Sequence, residues 1–134
     1  VGAAGDSGLQ FPIFTDTAIC ASAAIATANT NRDGTGTIGT VYSAGADGGR
    51  VAYVRVQATV ATTVGVVRLF IHTGAAYFLW KELLVTAITP STTVEAYSIE
   101  YVPTEALVLP TGYSLRASTH NAENFNVFVH GGDF

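Results

Sequence analysis

Read for alternation of apolar and polar positions, the chain is a succession of short β-type runs separated by small polar breaks. The densest stretch is Val51–Thr86, which reads as three strands in sequence, VAYVRVQATV, VGVVRLFIH and YFLWKELLVT. Their β-branched and aromatic content is that of strands. The breaks ATT and TGAA leave room only for tight turns, so the stretch predicts an antiparallel meander. In the first run Val54, Val56, Ala58 and Val60 fall on one side, against Tyr53, Arg55 and Gln57. In the second, Val67, Leu69 and Ile71 oppose Arg68, Phe70 and His72; in the third, Trp80 and Glu82 oppose Lys81 and Leu83. The aliphatic sides predict core. The sides that mix arginine with aromatics predict an outer face, and Arg55, Arg68 and Phe70 are its candidate interface residues. The competing account is arginine lying over a solvated sheet.

The lighter segments complete the picture. Thr17–Ala28 is rich in alanine, which suits a helix. It has no charge to solvate one, and Ile19, Ala21, Ala23 and Ile25 alternate with small residues, so a strand is predicted. Asn29–Thr37 is a loop, Ile38–Ser43 a strand and Ala44–Gly49 a turn. Val94–Val102 is a strand closed by Pro103, and Leu107–Gly112 a compact turn leading into the strand Tyr113–Thr119. His120–Asn124 turns into the last strand, Phe125–His130, and Gly131–Phe134 is a tail whose Phe134 is a candidate docking residue. About eight strands with breaks every 8–12 residues or so is the spacing of an all-β fold, a single antiparallel β-sandwich of jelly-roll-like layout. The domain spans residues 17–134, and residues 1–16 form an extended N-terminal arm. Phe11 and Phe14, flanking Pro12, are its candidate docking aromatics.

Composition changes this picture in two respects. Only 12% of the 134 residues are charged while 49% are hydrophobic, well below the charge of an ordinary soluble surface. Such a chain predicts a surface of uncharged small residues, or one covered by partners. The net charge is −4 and the six basic residues are scattered singly, which argues against nucleic acid as a partner. Cys20 is the only cysteine, so neither an intrachain disulfide nor a cysteine-based zinc site is possible. The opening residues have no basic region of a signal peptide, and the longest apolar run, Ala18–Ala28, is too short to cross a membrane.

Candidate chemistry is sparse. Asn29, Asn31 and Asp33 before Gly34 echo the opening of a calcium loop, but Thr40 stands where that loop needs its bidentate glutamate. The segment therefore reads as an Asx-rich turn. His72, His120 and His130 are far apart, with no metal-ligand spacing. No G-x-S-x-G elbow occurs, and Glu95, Glu100 and Glu105 read as a solvated face rather than a paired-carboxylate cleft. No catalytic, metal or cofactor residue is expected, and the chain is read as non-enzymatic. Tyr53, Trp80, Tyr97 and Tyr113 are candidate stacking platforms for a glycan, with buried aromatic core as the alternative.

One resemblance carries the functional reading further. NTNRDGTGTIGT (Asn29–Thr40), followed by AGADGGRV, VRLFIHTG, LWKELLVTAITPS and LPTGYSLRASTHNAENFNVFVHGGDF, resembles a group of small structural proteins of tailed bacteriophages. The likeness runs from Asn29 to Phe134 and brings no catalytic residue with it. It implies a virion component made in the bacterial host cytoplasm, foremost a head decoration (cement) protein on the capsid surface. A tail or fibre accessory protein is the next implication. The implied partners are the major capsid protein and copies of the chain itself, expected as a trimer, with neither nucleic acid nor membrane involved.

Overall fold

The structure, a computed structural model, describes residues 15–134. Among them are nine strands: β1 (Thr17–Ile25), β2 (Gly39–Ser43), β3 (Gly49–Ala58), β4 (Gly65–His72), β5 (Tyr77–Val85), β6 (Ser98–Tyr101), β7 (Leu107–Leu109), β8 (Ser114–Thr119) and β9 (Phe125–Asp133). They form two antiparallel sheets packed face to face. One has the order β1-β9-β3, with β6 and β7 following one another along the far edge of β3; the other has the order β2-β8-β4-β5. That order is a jelly roll whose sixth strand is broken in two, into β6 and β7. The break falls at Pro103, which has no N–H to give to a ladder.

The core lies between the layers, where period-2 alternation places it. Val51, Val54 and Val56 of β3 and Val127 and Val129 of β9 meet Val67 and Leu69 of β4 and Leu115 and Ala117 of β8, all inaccessible to solvent. Aliphatic side chains on the inner faces of two sheets interdigitate in this way in sandwiches.

The predicted meander is not one. β4 and β5 are a hairpin closed at Thr73–Ala76, where Thr73 N–H donates to Ala76 O at 3.0 Å. β3, however, belongs to the opposite sheet. Thr59–Val64 is a crossing between layers, not a turn, and Val60 leaves the core face, 42% exposed. Thr62 holds the crossing: its backbone pairs with Ile88 and its hydroxyl donates to Thr86 O at 2.8 Å. The physical reason is that β3 and β4 each present an aliphatic face, and both are buried most fully when set opposite rather than side by side.

Three other boundaries move. Leu107–Leu109, read as part of a turn, is a strand on β3, and Val94–Val102 contracts to Ser98–Tyr101. Gly131–Asp133 is not a tail but the end of β9, between β1 and β3. Glycine is required there, because a Cβ on Gly131 would collide with the Arg50 carbonyl oxygen of the adjacent strand. Asp16, assigned to the arm, already donates its N–H to Asp133 O at 2.8 Å. Phe11 and Phe14 lie outside the described residues.

Candidate functional site

The two outer faces of the sandwich are built differently, and the difference decides which residues are available to a partner. On the four-stranded sheet, β4 turns Arg68 and Phe70 outward, yet both are buried, at 2% and 0% exposure. The cover is the chain's own 29–37 loop together with Tyr77. The loop starts beside β8, where Asn29 N–H donates to Thr119 O at 2.8 Å. Asn29 Nδ2 then donates to the carbonyls of Thr35 and Thr37, and its Oδ1 accepts from Asn31 N–H. Asp33 accepts from both the N–H and the hydroxyl of Thr35, which holds its carboxyl below the usual carboxylate value. Gly34 has φ +90° and lies so close to Tyr77 that a Cβ would collide with it. Tyr77 packs edge-on to Phe70 and accepts a 2.8 Å hydrogen bond from Arg116.

Arg68 is the anchor beneath. Its Nε donates to Glu82 Oε2 (2.9 Å), Nη1 to Asn29 O (3.0 Å) and Nη2 to His120 Nδ1 (3.2 Å). Arg32, at the loop tip, donates to the same Glu82 oxygen at 2.8 Å. That hydrogen bond, more than the contacts from Arg68, holds the Glu82 carboxyl below its ordinary value. Arg68 and Phe70 are thus struck from the interface candidates. A charge taken out of water needs every donor engaged, and the Asx-rich loop supplies the missing acceptor. The side chains of Asn29, Asn31 and Asp33 are turned onto the loop itself, and no group of three or more metal-ligating His, Cys, Asp or Glu residues occurs among the described residues.

The five-stranded sheet has no such cover among the described residues. Register aligns Ser22, Phe128, Arg55 and Glu100 in one row across β1, β9, β3 and β6, and Cys20, His130 and Tyr53 in the next. Tyr53 and His130 stack, with ring centroids 4.6 Å apart and planes 14° from parallel. Arg55 pairs with Glu100 at 3.3 Å and donates to Gln57, its side chain 41% exposed. A shallow depression beside Phe128 is lined by Ser22, Ala23, Ala24 and Asn126. The face is therefore a half-buried aromatic row flanked by the small side chains of β1.

Of the candidates, Arg55 stands on this open face. Phe134 is half-buried, its N–H donating to Gly48 O at 3.1 Å, so the chain end is pinned to its own β2–β3 turn. Next to it Tyr42 donates to Asp133 Oδ1, which also accepts from Gly45 N–H. Burial, and then the hydrogen bond and charge of Asp133, push the Tyr42 phenol well above the ordinary tyrosine value. Among the glycan candidates Tyr97 is buried, its hydroxyl donating to Leu84 O. Trp80 does not share a face with Glu82, because a bulge between Leu79 and Lys81 turns it against the core and onto Tyr101. Tyr113 is half-buried against the core, which leaves Tyr53 on a sheet face. Phe128 and His130 were missed, although FNVFVH alternates buried with outward residues and could have revealed them.

Comparison of the chain with family models, curated proteins and solved structures gave no match.

Proposed function

We propose that the chain is a non-enzymatic structural protein of a tailed-phage virion, a decoration protein that lies on the capsid surface and clamps neighbouring capsomers. The reading rests on the phrases that resemble such proteins. It is supported by one observation: the sandwich seals one outer face with its own loop and leaves the other as a row of Phe128, Arg55, Tyr53 and His130 beside an uncharged edge. Aromatics with arginine in a charge-poor surround are the composition of protein interfaces. Copies gathered around a capsid symmetry point would bind through many modest contacts, and multivalency makes their joint removal slow. Phe11 and Phe14 would extend the contact onto the major capsid protein.

Locating the chain in purified particles tests the proposal. Density over the shell is expected, and density confined to the tail overturns it. Shell binding that is unchanged after deletion of Val1–Phe14 refutes the arm's part in it. The Tyr53–His130 stack favours a second reading, glycan binding on the same face. That reading predicts a signal on a sugar array which Tyr53→Ala abolishes.

A further inference from the structure

The sandwich has four edges, and three are blunted against pairing with another chain. β2 is five residues long with a register break between Thr40 and Tyr42. β5 is bulged at Trp80 and carries Lys81 and Glu82. β6 and β7 are four and three residues long, with Glu100 on the first. Shortness, bulges and charge are the ordinary means of protecting an edge. β1 has none of them. It is nine residues long, runs in unbroken register along β9 and contains neither a charge nor a proline. Among the described residues its second edge has no partner.

We propose that this edge pairs antiparallel with the β1 of a second copy, about a twofold axis at Ala21, joining the two five-stranded sheets into one. The strand is complementary to itself in that register. Ala18 faces Ala24, Cys20 faces Ser22, Ile19 faces Ala23 and Thr17 faces Ile25, so no bulky pair and no like charges meet. Ile19, Ala21 and Ala23 pack on the core but remain half-exposed at the open edge, and the second copy would finish burying them.

The chain ahead of β1 points to the same partner. Residues 1–14 join at Thr15, which packs on Gly132 at the Thr17 end of the strand. The depression lined by Ser22, Ala24 and Phe128 lies toward the other end, roughly 20 Å away at about 3.3 Å per residue. Antiparallel pairing brings the Thr17 end of one copy beside the Ile25 end of the other. Thr15 of each copy, where residues 1–14 join, then lies nearer its neighbour's depression than its own. This inference concerns the chain in solution and stands apart from the decoration reading.

The test uses the full chain without any shell. In Cys20→Ser/Ala21→Cys the single thiol sits on the axis, and paired strands hold opposed Cα atoms about 4.5–5.5 Å apart, within disulfide range. Mild oxidation is expected to give at least ten times more covalent dimer than in Cys20→Ser/Ala24→Cys, whose thiol faces Ala18. Sedimentation equilibrium of the unmodified chain is expected to give a two-copy mass. Cys20→Asp/Ser22→Asp, exposed positions that oppose across the seam, should raise the dissociation constant at least tenfold while far-UV dichroism is unchanged. A monomer, a three-copy mass, or equal crosslinking at residues 21 and 24 overturns the proposal.

Discussion

Arg68 is the residue on which the covered face turns, because among the described residues its guanidinium is the one charge placed fully inside the sandwich wall. Removing its carboxylate leaves that charge buried with two acceptors in place of three. Glu82→Ala is expected to cost about 2 kcal/mol in denaturant melts, below the usual range for a broken buried pair because Glu82 is itself 30% exposed. The pH dependence has a definite sign. Since the folded carboxyl lies below the ordinary value of 4.5, its contribution is complete above that pH and is lost as pH falls through the lowered value. Acid melts of Glu82→Ala should therefore show a shallower loss as pH falls below 4.5 than the parent chain. Tyr42 behaves oppositely. Its raised phenol makes the folded state hold the proton, so stability is intact below pH 10.0 and falls as pH rises beyond it. Tyr42→Phe should remove that alkaline slope and cost about 1.5 kcal/mol at neutral pH, the value of a hydrogen bond to a charged acceptor. Neither partnership was legible in the sequence. Period-2 alternation gives the side of a strand on which Arg68 lies, but it cannot report a loop 39 residues upstream that folds back to cover it.

At the scale of elements, the 29–37 loop is the piece whose role changed most between sequence and structure. Its turn chemistry was readable, because Asn, Asp and Gly announce themselves locally. Its docking was not, because the contacts with Glu82 and Tyr77 join residues remote in sequence. Asn29 ties the loop's two ends together through Thr35 and Thr37. Asn29→Ala is therefore expected to release the loop while the sheets persist, at a cost of about 2 kcal/mol for two or three partly buried hydrogen bonds. Amide exchange in residues 30–37 should accelerate at least tenfold, and trypsin should gain access to Arg32, with strand amides unchanged. Loss of protection throughout the strands would show the loop to be part of the cooperative core instead. The strands themselves were legible wherever β-branched and aromatic residues cluster, as in β3, β4 and β5. Short β7 was not, because three residues beside Pro110 carry no period, and only the edge of β3 makes them a strand.

For the whole molecule, the jelly-roll order makes the two ends of the described chain interdependent. Thr17 pairs with Asp133 and Ile25 with Phe125, so the first strand cannot enter its sheet until the last is in place. β9 in turn lies between β1 and β3 and supplies Phe125, Val127 and Val129 to the core. Closing such long loops before any contact rewards them slows folding, and refolding from denaturant is expected on the millisecond-to-second scale typical of non-local β-sandwiches. The same topology predicts how truncation acts. A chain ending at Asn124 loses both neighbours' ladders and the centre of the core, and should show no cooperative melt and little strand signal in far-UV dichroism. A chain beginning at Thr15 keeps every pairing described here, so it should still melt cooperatively and keep its strand signal in far-UV dichroism. A full-length melt that survived loss of β9 would mean that β1 and β3 can pair directly. A large loss on starting at Thr15 would mean that the sandwich is incomplete without the residues before it.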